Sequence, residues 1–176
     1  MIKKPLPLLI ALTLLLAGCA MVQSIVKSTF PYTTNLTITA SGQAGTEYTA
    51  TSMATSFDQG FTKSGDNGDK VSAVRIVSAK LRSIDPTDFN IGNIASAKFY
   101  MSAPDGKDEV LVASRTDITL GVGNSIVLDI DNSSFLDRLV RMPNVKIRMV
   151  YVLRNGISTD ATLRLVLGIS AYPDNN

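Results

Sequence analysis

The chain has 176 residues, one cysteine, no histidine and no tryptophan, with 17 basic and 15 acidic side chains. Without histidine, Ser-His-Asp and Cys-His catalysis have no base, and zinc loses its commonest ligand. With a single thiol there is no internal disulfide, so stability rests on a packed core.

The first element reads as a leader. Lys3 and Lys4 precede an apolar run over residues 6–16, then the small residues Ala17 and Gly18, then Cys19. That is the layout of a secretory signal, and the run is shorter than the roughly 20 residues a membrane-spanning helix needs. Leu16-Ala17-Gly18-Cys19 resembles the lipobox of bacterial lipoproteins. The resemblance implies that residues 1–18 are a signal peptide removed before Cys19, that the Cys19 thiol takes a diacylglycerol, and that its new amino group is acylated too. Each buried methylene contributes about 0.8 kcal/mol, so one acyl chain binds reversibly and two or three hold firmly. On this reading Cys19 is neither nucleophile nor metal ligand; the alternative is an ordinary cysteine after a short core helix. Ala20 stands where Asp tends to retain such lipoproteins in the inner membrane, and residues 20–24 lack the acidic or Lys-rich tract that often marks surface export. The resemblance therefore implies an outer-membrane anchor facing the periplasm, with the cell surface as the alternative.

Lys3 and Lys4 leave with the leader, so the 17 basic residues fall by two and equal the 15 acidic ones. A neutral domain gives no electrostatic reason to bind nucleic acid or to lie on anionic lipid. Residues 19–31 read as a lipidated tether, reaching at most about 40 Å at roughly 3.3 Å per residue. Residues 32–176 form one domain of ordinary size.

From Tyr32 onward the pattern has period two. Strands are expected over residues 36–40, 46–57, 71–84, 94–102, 109–114, 125–130, 144–154 and 161–171. The last two are the clearest. Val145, Ile147, Met149, Tyr151 and Leu153 alternate with polar neighbours, as do Leu163, Leu165, Leu167 and Ile169, which marks half-buried strands. Asn155-Gly156 between them is a hairpin dipeptide, with residues 157–160 lengthening the loop. In the run from Val71 the apolar phase slips by one, which predicts a β-bulge near Ile76. Turn residues cluster at 41–45, 64–69, 104–106 and 121–124.

Residues 133–141 break the alternation. Asn132 and Ser133 offer caps, apolar residues follow at helical spacing, and Pro143 closes the segment, so a short helix of two or three turns is expected. About eight strands and one crossover helix read as an all-β, immunoglobulin-like antiparallel β-sandwich. Residues 71–171 resemble two groups of domains. One is the uncharacterised β-sandwich lipoproteins of two-membrane bacteria, which carry a strand like VRIVSAKLRSI after a Thr-rich hairpin. The other is the water-stress sandwich of late-embryogenesis proteins, where Asp85-Pro86 departs from that group's Asn-Pro. Neither resemblance implies a catalytic residue.

With no glycine-rich loop between strand and helix, phosphate cradles have no home, and the remaining chemistry is carboxylate and hydroxyl. Asp66 and Asp69, in Asp66-Asn67-Gly68-Asp69, are weak candidate calcium ligands, without the spacing of an EF-hand and more simply read as a solvated turn. Asp129 and Asp131 share a strand face and could hold a cation or act as a carboxylate pair; the plainer reading makes Asp129 a solvent-facing residue and Asp131 or Asn132 a helix cap. Asp108-Glu109 reads as exposed rim. Lys146, Arg148, Arg154 and Arg164 are expected to share the outer faces of two neighbouring strands, a basic stripe for an acidic partner or a solubilising surface. The hairpin over residues 46–56 has a weak apolar pattern and reads as an edge able to accept a partner strand. No cofactor is expected. The leading expectation is a non-enzymatic accessory lipoprotein with an envelope protein partner; the alternative is a lipoprotein that binds a saccharide, peptide or lipid.

Overall fold

The computed structural model of the protein describes residues 28–40, 42–55 and 71–173. Within them lie nine strands: β1 (Ser28–Ile38), β2 (Glu47–Thr55), β3 (Val71–Asp85), β4 (Ile94–Ser102), β5 (Val110–Thr116), β6 (Ser125–Val127), β7 (Asp129–Ile130), β8 (Asn144–Leu153) and β9 (Ala161–Pro173). They make two sheets, β1-β9-β3-β6 and β2-β8-β4-β5-β7. All neighbouring pairs are antiparallel. The fold is the expected antiparallel β-sandwich. β1 begins at Ser28, ahead of the domain boundary expected at Tyr32. No described helix is long and apolar enough to cross a membrane.

The alternating residues of β8 and β9 form the centre of the core. Val145, Ile147, Met149 and Leu153 are fully buried, as are Leu163, Leu167 and Ile169. Each large apolar side chain so buried contributes about 1.5–3 kcal/mol. The two strands nevertheless do not form the hairpin expected at Asn155-Gly156: β8 pairs with β2 and β4, and β9 with β1 and β3. The tight reversal fails because the Arg154 N–H donates to the Asn93 carbonyl at 2.7 Å rather than across a hairpin. Residues 155–160 then carry the chain to the opposite sheet. Each strand becomes an interior strand of its own sheet, and the two apolar faces meet across the core.

Two further expectations are corrected. The strand expected over 125–130 is two strands in different sheets, β6 on β3 and β7 on β5. Leu128 between them is buried, and its N–H donates to the Ala79 carbonyl at 2.9 Å. The helix expected over 133–141 is a single turn, Asp137–Val140. The residues ahead of it bond to β3 instead: the Leu136 N–H donates to the Val74 carbonyl at 3.0 Å, and the Asp137 carboxylate accepts from the Val74 N–H at 3.3 Å. Such side-chain and main-chain bonds to a neighbouring strand compete with helix propagation. The slip near Ile76 is present, since the register of β3 on β9 shifts between Ile76 and Ser78.

Candidate functional site

The sandwich has two unlike sides. On one, the outer strands are β6, of three residues, and β7, of two. On the other they are β1, of eleven residues, and β2, of nine. Folded proteins blunt their sheet edges by brevity, bulges, proline or charge. β6 and β7 are brief, and β1 carries Pro31 within its span. β2 has none of these devices. It pairs with β8 residue for residue from Glu47 to Thr55, without a bulge, and its sole charge is Glu47 at the start.

β1 and β2 are joined across the gap between the sheets. The buried Tyr32 hydroxyl donates to the Ala54 carbonyl at 3.1 Å, and Thr34 Oγ1 donates to Ser52 Oγ at 2.9 Å. Burial pushes the Tyr32 phenol well above its ordinary value, so it remains a donor at every physiological pH. Outside these bonds lies an open groove of about 550 Å³. Thr33, Thr34 and Asn35 line it from β1, and Ser52 and Met53 from β2. Arg164 of β9 closes one wall, its Nε donating to Asn35 Oδ1 at 3.2 Å. The lining presents hydroxyls, an amide and a guanidinium, but no carboxylate, imidazole or thiol. The groove joins two features that the sequence singled out separately, Arg164 and the segment over residues 46–56, of which residues 47–55 form the single strand β2, paired along its length with β8 rather than folded as the expected hairpin.

The other candidates are placed as follows. Cys19, Asp66 and Asp69 lie outside the described residues. Asp129 is exposed and ion-pairs with Arg115 at 3.3 Å. Asp131 accepts from the Ser133 N–H at 2.9 Å and from its hydroxyl at 2.6 Å, which hold its carboxyl below the usual range. The two aspartates thus serve different neighbours, and among the described residues no three metal-ligating side chains converge. Neither Asp131 nor Asn132 caps the helical turn, whose N-cap is Leu136 with no side-chain cap bond.

The basic stripe does not exist as one surface, because its residues belong to different sheets. Lys146 and Arg148 lie on β8, and Arg164 lies on β9. Arg148 is engaged by Glu109 through two bonds of 2.8 and 2.6 Å and stands 4.4 Å from the Tyr100 ring centroid. Asp108 and Glu109 are exposed, as expected, and both are ion-paired, Asp108 to Arg138 at 2.9 Å and Glu109 to Arg148. Arg154 is partly buried and donates to the carbonyls of Gly92 and Ile118. Sequence reading passed over Lys80 and Arg82, although the alternation of buried Ala79 and Leu81 already places both on the outer face of β3.

Fold and groove together define a β-sandwich protein with an open polar edge. No family model matches the chain, and no curated protein matches it. One similar solved structure concerns the promiscuous specificity of the carbohydrate-binding modules from the β-sandwich superfamily. The likeness covers 81% of this chain at 13% identity with a TM-score of 0.27, and this chain spans 56% of the length of that one. A likeness of that size says nothing of what this chain binds.

Proposed function

We propose that the protein is a lipid-anchored, non-enzymatic binding protein of the bacterial envelope. Cys19 holds it at the outer membrane, facing the periplasm, and the β1/β2 side takes an extended, uncharged segment of an envelope protein. The observation that carries the reading is β2. It is nine residues long, regular in register, without a charge from Tyr48 to Thr55, and without a paired strand on its outer edge among the described residues, where Tyr32 takes up the Ala54 carbonyl. Such an edge offers unpaired main-chain groups to an added strand. Its Thr- and Ser-rich outer positions add hydroxyl partners without specifying large side-chain pockets.

Photocrosslinking in cells tests it. A crosslinker at Thr33 or Met53 is expected to give one discrete protein adduct, and one at Lys98, on the outer face of the other sheet, none. Absence of any adduct from Thr33 and Met53 in a correctly anchored protein overturns the reading. The groove volume of about 550 Å³ supports a second reading. Small-ligand sites span about 300–1,000 Å³, so a free saccharide, peptide or lipid headgroup also fits. Thermal shifts with those three classes, each lost in Asn35→Ala, would favour that reading over a protein partner.

A further inference from the structure

The mature chain is neutral overall, but its charges are not mixed evenly. On the outer face of the sheet β1-β9-β3-β6, Arg82 of β3 stands directly opposite Arg164 of β9. Lys80, one outward position along β3, pairs with Val166 of β9 and Val127 of β6. Like charges directly opposite each other across strands are unfavourable. Here nothing offsets them: no carboxylate lies within ion-pair distance of Lys80, Arg82 or Arg164 among the described residues. Asp85, at the end of β3 opposite Thr162, is the one acid on the described strands of this sheet, and it pairs with none of them. On the other sheet Arg115 is matched by Asp129 and Arg148 by Glu109, and of its strand cations only Lys98 and Lys146 carry no ion pair among the described residues.

The cationic face also carries apolar side chains that the fold leaves in water. Val127 is 70% exposed, and Val77 and Tyr172 are 38% exposed. Cations interleaved with exposed apolar groups suit the boundary between headgroups and acyl chains, where long basic side chains keep their charge at the polar level. The tether points the same way. The segment from Cys19 to Lys27 reaches at most about 30 Å when fully extended, and it leads into β1, an outer strand of this same sheet.

We infer that the β3/β6 part of the outer face of the sheet β1-β9-β3-β6 lies against the anionic phospholipid surface in which the chain is anchored, with Lys80 and Arg82 meeting phosphate headgroups while Arg164 stays with Asn35 in the groove. This rests on the proposed lipidation of Cys19 for its setting but not for its test. Contact through the β3/β6 part alone orients the sandwich on the membrane and leaves the β1/β2 groove and the outer face of the other sheet turned to solution.

The test is vesicle sedimentation of the mature chain carrying Cys19→Ser, so that no acyl chain contributes. The vesicles are phosphatidylcholine with and without phosphatidylglycerol. Each Lys or Arg near an anionic surface contributes about fivefold to the partition constant. Lys80→Gln with Arg82→Gln is therefore expected to weaken binding to phosphatidylglycerol vesicles roughly twentyfold or more, with thermal stability held. The control pair Lys98→Gln with Lys146→Gln, equal in charge lost but on the other sheet, is expected to leave it within about twofold. Equal loss from the two pairs, or binding indifferent to phosphatidylglycerol, overturns the inference. So does complete competition by inorganic phosphate at stoichiometric concentration, which identifies a discrete anion site instead. Lipidation is read separately, by the acyl mass on Cys19 of the protein from cells, so either idea fails without the other.

Discussion

Asn132 pairs with Ile76 as one strand residue pairs with another: its Oδ1 accepts from the Ile76 N–H at 3.1 Å, and its Nδ2 donates to the Ile76 carbonyl at 2.9 Å. The arrangement sits where the outer edge of β3, opposite β9, has no strand beside it. β6 covers β3 only at Lys80, Leu81 and Arg82. Ahead of that, the outer edge of β3 is sealed by Asn132, the Leu136 N–H and the Asp137 carboxylate. Arg75 completes the seal from the strand side, donating to the Asn132 carbonyl at 2.9 Å and standing 4.0 Å from the Phe135 ring centroid.

Asn132→Ala leaves two main-chain groups of Ile76 without partners, at a cost of about 1–3 kcal/mol. Asn132→Asp is expected to cost at least as much above the ordinary carboxylate pKa, because a carboxylate cannot donate to the Ile76 carbonyl. Urea denaturation of both variants checks this; an unchanged midpoint in either would show that water replaces the amide freely.

How far the sequence revealed this structure depends on the kind of feature. Period-two alternation located the long strands other than β1, because a half-buried strand must alternate wherever one face meets a core, but it caught only the last three residues of β1, whose first residues read as tether. It could not show which strands are neighbours. Asn155-Gly156 carried a hairpin signal that the competing bond from the Arg154 N–H to Asn93 overrode, and that bond joins residues far apart in sequence. Asn132 read as a cap because its bond to Ile76 spans the same kind of distance. The groove was half visible. The weak apolar pattern of β2 identified an edge, but the partnership of Ser52 with Thr34 and the nearness of Arg164 follow from sheet order alone. Likewise neutrality concealed the opposition of Arg82 and Arg164, which appears only once β3 and β9 are paired.

Gly92 is buried in the 3-10 turn Ile91–Asn93, and a Cβ there would stand 2.7 Å from the Thr119 carbonyl oxygen. The obstacle is main chain and cannot rotate away. The surrounding loop is also stitched in place by Asn90 Nδ2 donating to the Leu120 carbonyl at 2.7 Å and by Arg154 donating to Ile118. Gly92→Ala is expected to destabilise the fold by about 1–3 kcal/mol, the usual range for overpacking. The midpoint of thermal unfolding checks it.

Glu109 is held below its ordinary value chiefly by its hydrogen bonds to Arg148, and further by that guanidinium's charge. A carboxyl depressed in the folded state adds stability above its unfolded pKa, and that stability is lost as pH falls through the folded value. Glu109→Gln is therefore expected to be less stable than the parent at neutral pH, with the gap closing below about pH 4.5. Both side chains are close to a third exposed, so solvent limits the pair to about 1 kcal/mol. Parallel denaturation curves at pH 7 and pH 3 test the sign. A gap that persists unchanged in acid would assign the effect to packing over Tyr100 rather than to charge.

Cys19→Ser removes the thiol to which the proposed diacylglycerol attaches. The unmodified precursor is expected to accumulate uncleaved, and the mature form to lose palmitate label. Metabolic labelling followed by immunoprecipitation reads both. Full labelling of the serine variant would place the lipid elsewhere or remove it from the account.

Met53 lies toward the end of the proposed receptor edge, is 52% exposed and pairs with Lys146 of β8. Met53→Lys puts a charge where an incoming strand would lie, and Lys is the residue with which natural edges repel such strands. Being exposed, the site is expected to tolerate the change at a cost of about 1 kcal/mol or less, part of it repulsion from Lys146 directly opposite. A partner that adds along β2 must desolvate the new ammonium, so its capture is expected to fall about tenfold, equivalent to about 1.4 kcal/mol. Met53→Thr keeps the edge uncharged and should retain capture, which separates charge from the loss of the methionine itself. Measured by crosslinking yield from Thr33 in cells, equal capture by the Lys and Thr variants would exclude β2 as the receiving strand.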